Sequence, residues 1–278
     1  MQEKINELNH IMGQKIGVFD GGVGGMLAFS KIRERMPEAS IVYVGDCRNL
    51  PYNTRPREWI RGRAQKMIDF LQEKEIETLV IACHTVSSML NSLDTGSLSV
   101  YEIVNPTLEY LQKQEESQHY LFIGTSTTID SGCYKAPWLE PQSSYLKAIE
   151  LATRIEREGK NHPETKAYLG KILGEHFMTL PKNIDSITVV LVCTHYFLVQ
   201  AHIEQWIKEN TSCKQVEVVE PSLLLAEKVP LVANEEKGEI EIFLNQDQTS
   251  AFQKKLDKIY QSLRLKGLPT SFVKNLDK

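Results

Sequence analysis

Short apolar runs alternate with longer amphipathic stretches along the chain. Runs rich in β-branched and aromatic residues predict strands at Lys15–Phe19, Ser40–Val44, Thr78–Ala82, Ser99–Ile103, Tyr120–Ile123 and Ile187–Val192. Apolar residues at helical spacing predict helices at Gly24–Arg35, Pro56–Glu73 and Thr85–Ser92. Continuous apolar strands are typical of sheets buried on both faces. The alternation of strand and helix therefore predicts an α/β fold with mainly parallel sheets.

The same plan occurs twice in the chain. The strand KIGVF leads into Asp20, and the later strand YLFIG leads into Thr125. The strand TLVIA leads to Cys83, and VVLV leads to Cys193 after a similar interval. This repetition predicts two similar α/β domains. Because open α/β sheets bind ligands at the carboxyl ends of their strands, a cleft between two facing domains is the expected active site.

The domain boundaries follow from the last elements of the chain. A strand at Glu217–Val219 and a helix at Leu223–Val229 come after the second domain and need a sheet to join. We therefore expect the first domain to comprise 14–106 and 214–278, and the second 107–213. Within the first domain, Lys254–Lys278 is expected to be a helix followed by a loose, basic end.

Composition narrows the class of protein. The 278 residues are 41% hydrophobic and 24% charged, as in an ordinary globular protein. With 32 Lys and Arg against 36 Asp and Glu, the net charge of −4 argues against a nucleic-acid partner. The apolar runs are too short for a membrane span, and the first residues lack the apolar region of a signal peptide. These features predict a cytoplasmic protein.

Two of the five cysteines stand in unusual positions. Without a CxxC pair, neither a zinc site nor a disulfide framework is expected, and buried cysteines are usually core residues. Cys83 and Cys193, however, each follow a buried strand and precede polar residues, in Cys-His-Thr and Cys-Thr-His. Backbone N–H groups at the start of a helix favour a thiolate there.

Two thiols on opposite faces of one carbon could catalyse 1,1-proton transfer. One thiolate would remove the α-hydrogen of a small carbon acid, and the other thiol would return a proton to the opposite face. A single nucleophilic cysteine with a histidine partner, as in hydrolases and amidases, fits the same residues.

Five motifs in order resemble the glutamate racemases, of the cofactor-independent aspartate/glutamate racemase family. They are IGVFDGGVGG (Ile16–Gly25), YVGDCRNLPYN (Tyr43–Asn53), VIACHT (Val80–Thr85), IGTSTTIDSGCY (Ile123–Tyr134) and LVCTHYFLV (Leu191–Val199). The resemblance implies interconversion of L- and D-glutamate, which supplies D-glutamate for peptidoglycan. It also implies an active site between two α/β domains, neither cofactor nor metal, and a homodimer as is common in the family.

The resemblance also implies roles for individual residues. Cys83 and Cys193 match the thiols that act on the D- and L-enantiomers, and Asp20 and His195 match residues that assist proton movement there. The residues matched to substrate binding are Asp20, Gly21, Tyr52, Asn53, His84, Thr85, Thr194 and His195, with Thr125 and Thr128 beside the site. Three have structural alternatives: Asp20 as a helix cap, His195 as a core histidine and Tyr52 as a turn residue.

The chain departs from the family pattern at several matched positions. Gly21 stands where the family has Ser, Asn53 where it has Gly, and His84 where it has Asn. Phe197 replaces the proline of Cys-Thr-His-Tyr-Pro, and a family glutamate would fall near Arg157 or Glu158. Because lost hydrogen bonds to the substrate would change specificity or rate, two alternatives stay open. One is a racemase of another acidic amino acid such as aspartate, and the other is a racemase-like binding or regulatory protein.

A dinucleotide site is a further alternative, and it is disfavoured. The glycines of DGGVGG follow a strand, and Asp46 stands at the distance expected of a ribose-binding acid. The third glycine of the fingerprint is replaced by Leu27, and Asp20 would place a negative charge beside the phosphate.

Overall fold

The computed structural model describes residues 15–114, 119–231, 238–265 and 268–273. These residues form two compact units, each built on a parallel β-sheet. Unit 1 comprises the described residues of Met1–Ile103 and Ser222–Lys278, and unit 2 comprises those of Val104–Pro221. The prediction of an α/β fold with two mainly parallel sheets is confirmed.

Unit 1 has its strands in the order β10-β9-β2-β1-β3-β4, every neighbouring pair being parallel. The strands are β1 (Lys15–Asp20), β2 (Ser40–Gly45), β3 (Thr78–Ile81), β4 (Ser99–Glu102), β9 (Ile240–Asn245) and β10 (Thr270–Val273). The helices are α1 (Met26–Arg35), α2 (Arg57–Glu73), α3 (His84–Ser87), α9 (Pro221–Lys228) and α10 (Ser250–Ser262). Two 3₁₀ turns, Cys47–Asn49 and Tyr52–Thr54, follow β2.

Unit 2 has its strands in the order β6-β5-β7-β8, again all parallel. The strands are β5 (Tyr120–Gly124), β6 (Ser143–Lys147), β7 (Ser186–Val192) and β8 (Gln215–Val219). The helices are α4 (Val104–Lys113), α5 (Ser126–Ser131), α6 (Leu151–Arg157), α7 (Pro163–Phe177) and α8 (Gln200–Asn210).

The central strands are buried because their residues are apolar on both faces. In β7, Ile187 to Val192 are all buried, and α6, α7 and α8 pack around them. In unit 1, α2 contributes Ile60, Ala64 and Ile68 at helical spacing to the core beside β1 and β3. The carboxyl ends of β1 and β3, and likewise those of β5 and β7, therefore lie side by side within their own units.

The structure corrects two expectations for the last part of the chain. The strand at Glu217–Val219 was expected in the first domain, but it is part of β8 and pairs with β7 in unit 2. Its sheet was misjudged because the sequence shows where a strand is but not which edge receives it. The tail is not simply a loose end, since Thr270–Val273 forms β10 alongside β9.

Among the described residues, none of the helices combines the length and apolar character that crossing a bilayer requires.

A pair of glycine substitutions in unit 1 tests the packing. A methyl group at Gly45, at the end of β2, would overlap the carbonyl oxygen of Gly22, whereas one at Gly62 on α2 meets nothing within 4 Å. We expect Gly45→Ala to lower the free energy of unfolding by about 1–3 kcal/mol through overpacking. Gly62→Ala should raise it by about 0.5–1 kcal/mol through helix propensity.

Urea unfolding of the two variants and the wild type measures both effects. A Gly45→Ala protein as stable as the wild type would contradict the close approach of the end of β2 to the Gly22 carbonyl oxygen.

Candidate active site

In unit 1, Asp20 and Cys83 stand at the ends of neighbouring strands. Asp20 is the last residue of β1, while Cys83 follows β3 and immediately precedes α3. A carboxylate oxygen of Asp20 accepts a hydrogen bond from the Gly22 N–H at 2.9 Å, which turns the chain sharply after the strand. A Cβ at Gly25 would lie 2.5 Å from the Asp20 Cβ and 3.1 Å from that of Ala82, so only glycine permits this approach.

The same strand ends share a buried, low-dielectric environment. The Tyr43 hydroxyl donates to the Gly22 carbonyl oxygen at 2.7 Å. Burial raises the pKa of Tyr43 well above its usual value, and electrostatic interactions with Asp20 and Cys83 add to the effect. Asp20 and Cys83 therefore lie close enough to the phenol to interact with it electrostatically.

His84 and Thr85 begin α3 and are both buried. Burial lowers the pKa of His84 to about 3, so its imidazole is neutral at pH 7. His84 can therefore donate one hydrogen bond and accept one, although from a ring of different shape than the amide it replaces.

The loop that carries Tyr52 and Asn53 packs onto Gly21. Tyr52 is buried, and its hydroxyl donates to a carboxylate oxygen of Asp46 at 2.7 Å. A Cβ at Gly21 would lie 3.3 Å from the Tyr52 ring and 3.4 Å from Leu50. A serine at position 21 would therefore require a small shift of the loop, and Asn53 stays partly exposed beside it.

In unit 2, a row of hydrogen-bonded side chains runs from Cys193 through His195 to Glu156. Cys193 and Thr194 follow β7 and are buried. His195 makes a side-chain hydrogen bond with Cys193, and its Nε2 lies 2.7 Å from Oε1 of Glu156 on α6. The imidazole thus bridges a thiol and a carboxylate.

The charge on His195 is decided by opposing effects. Burial alone lowers the pKa of His195, but hydrogen bonds and electrostatic interactions with Cys193 and Glu156 raise it to about 10. The imidazole therefore holds a proton at neutral pH, next to the thiol. Because the pKa of His195 in the folded protein lies above its usual value of 6.5, the interactions of the imidazolium with Glu156 and Cys193 stabilise the fold. This stabilisation is complete below pH 6.5 and is lost as the pH rises through about 10.

Thr125 and Thr128 lie at the end of β5, which neighbours β7. Their hydroxyls are 3.0 Å apart, and Thr125 Oγ1 accepts from the Thr128 N–H to cap α5. The Sγ of Cys133 is 3.9 Å from the Thr128 carbonyl oxygen. Both threonines therefore have structural partners of their own.

Glu156 is the residue that the sequence analysis missed. The family glutamate was expected near Arg157 or Glu158, but Glu158 bonds Arg157 and Arg154 instead. The glutamates of TRIERE look alike in sequence, and only the packing of α6 shows which of them reaches His195. Glu156 lies four residues after Ala152, so helical spacing places it near the apolar face of α6 that packs on the core. Spacing alone does not distinguish it from Glu158, which lies three residues after Ile155 on the same face.

One group of side chains in the described part of the chain has the spacing of a metal site. Ligand atoms of Glu158, His162 and Glu164 lie within 4.8 Å of one another. Glu158 already bonds Arg154 and Arg157, and His162 and Glu164 are exposed. This arrangement is an ordinary charged surface and does not indicate a metal.

Each unit has a parallel sheet with a cysteine following one of its strands, which fits the amino-acid racemases, the class indicated by the motifs. No family model matches the chain. Its sequence is 31% identical to glutamate racemase of Aquifex aeolicus (strain VF5) over 234 residues, covering 82% of this chain and 87% of the relative. It is 30% identical to that of Oceanobacillus iheyensis over 251 residues, covering 84% and 90%.

Solved structures share the fold. A glutamate racemase isoform from Bacillus anthracis has a TM-score of 0.78 at 24% identity, covering 95% of this chain and 99% of that one. Glutamate racemase from Francisella tularensis in complex with D-glutamate has a TM-score of 0.78 at 21% identity, covering 95% and 98%. Aspartate racemase of Picrophilus torridus has a TM-score of 0.54 at 15% identity, covering 77% and 91%.

The chain belongs to the glutamate racemase family. The resemblance seen in the five motifs is thereby confirmed, as is the prediction that the protein is an amino-acid racemase.

Removing the carboxylate of Glu156 tests the origin of the His195 charge. We expect Glu156→Gln to lower the pKa of His195 by roughly 1–3, because a neutral amide cannot stabilise the imidazolium by charge. NMR titration of labelled imidazole measures this pKa. Glu150→Gln, just before α6, is the matched control and should leave it unchanged, since Glu150 bonds Arg154. An unchanged His195 pKa in Glu156→Gln would show that the ion pair does not hold the proton.

Proposed function

We propose that this protein interconverts L- and D-glutamate by two-thiol proton transfer without a cofactor. Its place is the cytoplasm, where it supplies D-glutamate for peptidoglycan. The observation that carries the proposal is the pair of strand-end cysteines in a chain that matches relatives named glutamate racemase over more than four-fifths of its length.

The proposed reaction needs two groups that exchange roles. A thiolate takes the α-hydrogen as a proton and becomes a thiol, leaving an electron pair on the α-carbon. The other thiol gives its proton to the opposite face and becomes a thiolate, so the configuration inverts and all charges balance. Cys83 acts on D-glutamate and Cys193 on L-glutamate in this proposal, as the family resemblance implies.

The surroundings of Cys193 support its part in this reaction. A thiol must pass its proton within a site from which water is excluded. His195 carries a proton at neutral pH beside Cys193, and Glu156 balances its charge at 2.7 Å. In the proposed reaction the imidazolium is the counter-charge for the Cys193 thiolate, and Thr194, buried next to Cys193, offers a hydroxyl to the substrate.

Cys83 has a carboxyl group nearby, whereas Cys193 has an imidazolium. Asp20 is buried at the end of the neighbouring strand and is proposed to assist the proton at Cys83. The residues proposed to bind the substrate with it are Gly21, Tyr52, Asn53, His84 and Thr85. Their counterpart in unit 2 is the pair Thr194 and His195.

Racemisation of another acidic amino acid such as aspartate is the second candidate. Gly21 and His84, both buried, and Asn53 replace the residue types that the family uses for recognition. Each lost hydrogen bond to a substrate costs about 1–3 kcal/mol, enough to change a preference between two acids.

The proposal is tested by circular-dichroism polarimetry of purified protein with L-glutamate, then L-aspartate, and no added cofactor. Decay of the glutamate signal to zero is the expected result. Decay of the signal with L-aspartate but not with L-glutamate would favour the second candidate, an aspartate racemase. Stable signals with both would contradict racemisation and favour a binding or regulatory protein.

Three cysteine variants test the two-thiol reaction. Cys83→Ala and Cys193→Ala should each lower the rate of racemisation at least about 10³-fold, because each removes an acid/base group. Cys133→Ala should keep most of the activity, since its Sγ lies 3.9 Å from the Thr128 carbonyl oxygen and it is not one of the two thiols of the proposed reaction. Rates are measured in both directions from the pure enantiomers, and equal activities in all three variants would remove the case for Cys83 and Cys193.

A further inference from the structure

Asp46 is a fully buried carboxylate that accepts five hydrogen bonds. Arg63 donates through Nε to Oδ2 at 3.0 Å and through Nη2 to Oδ1 at 2.9 Å. The Tyr52 hydroxyl donates to Oδ2 at 2.7 Å, and Asn49 Nδ2 donates to Oδ1 at 2.8 Å. Asn245 Nδ2 donates to Oδ1 as well. Since Asp46 has none of its surface exposed, this carboxylate meets protein alone and is closed to a ribose or any other ligand.

The four residues that donate these five hydrogen bonds come from distant parts of unit 1. Asn49 and Tyr52 belong to the two 3₁₀ turns after β2. Arg63 projects from the middle of α2. Asn245 is the last residue of β9 and lies 199 residues after Asp46 in the sequence. Asp46 therefore ties the loop from Cys47 to Thr54 to α2 and to β9, the strand next to the edge strand β10.

The direction of the Tyr52 hydroxyl is important for the candidate site. Its proton is donated inward to Asp46, and the side chain is only 3% exposed. The Tyr52 ring, by contrast, faces Gly21 and stands against Trp59 with ring centroids 6.0 Å apart. The part of Tyr52 nearest to Gly21, which follows β1, is thus the ring, while the hydroxyl is held by Asp46.

We propose that Asp46 is a positioning residue, which holds the substrate-binding loop in place through Tyr52, and that the Tyr52 hydroxyl is not a ligand of the substrate. This inference rests on the proposed function, because the proposed function is what places the loop of Tyr52 and Asn53 at the bound glutamate. The loop then serves recognition through its backbone and through Asn53, which is partly exposed. Asn245, outside every family motif, belongs to the same arrangement.

The test changes the donors and leaves Asp46 intact, because Asp46→Asn would leave the Arg63 guanidinium buried without its counter-charge. The variants are Tyr52→Phe, Asn245→Ala and the two combined. We expect each single change to raise the KM for glutamate about fivefold, the effect of one hydrogen bond, with kcat within about twofold. Because both act through Asp46, the combined variant should raise the KM by clearly less than the product of the two.

Two control variants separate positioning from a general loss of stability. Tyr260→Phe removes a phenol hydroxyl that bonds Thr270 Oγ1 at 2.7 Å, and Asn210→Ala removes an amide that donates to the Trp206 carbonyl oxygen at 2.9 Å. Both should leave the KM unchanged even where they lower Tm, which is measured for every variant.

The outcomes distinguish this inference from the proposed function. Wild-type protein that fails to racemise glutamate would contradict the proposed function itself. An active wild type with a raised KM in Tyr52→Phe but not in Asn245→Ala would show that the hydroxyl binds substrate directly. That result, or a KM that multiplies fully in the combined variant, would overturn the positioning role of Asp46.

Discussion

The proposed chemistry depends on a charge that burial alone would remove. His195 lies in a low-dielectric interior, where an isolated imidazole loses its proton. Glu156, 2.7 Å away, and the thiol of Cys193 reverse that preference and raise the pKa of His195 to about 10. The result is a fixed positive charge directly beside a strand-end thiol. The proposed role of Cys193 as an acid/base group depends on this neighbouring positive charge.

The parallel sheets explain why such groups come together at all. Parallel strands end at the same edge, so residues that are far apart in sequence become neighbours there. Asp20 and Cys83 meet at the ends of β1 and β3, while Thr125 and Cys193 stand at the ends of β5 and β7. The two units repeat this plan with different auxiliary groups: a carboxylate accompanies one thiol, and an imidazole with its carboxylate accompanies the other.

The sequence allowed the scaffold to be predicted more fully than the side-chain partners. Buried strands show as apolar runs, and Cys83 and Cys193 follow such runs directly, so their placement is a local property. Glu156 could not be singled out, because its bond to His195 crosses 39 residues and depends on how α6 packs. Asp46 resembled a ribose-binding acid in sequence, whereas its burial against Arg63 and Asn245 is visible only in three dimensions. The sheet that receives β8 was misjudged for a similar reason, since pairing is a long-range choice.

Racemisation in deuterium oxide tests the central claim, that two exchangeable groups work on opposite faces of one carbon. L-Glutamate is incubated with the protein in D₂O. During the first turnovers the two enantiomers are separated, and the deuterium content of each is measured by mass spectrometry. The account predicts that the D-glutamate formed carries one α-deuterium while the remaining L-glutamate stays largely protiated. D-glutamate that keeps its original α-hydrogen would contradict the account, because the hydrogen would then have returned without passing through exchangeable thiols.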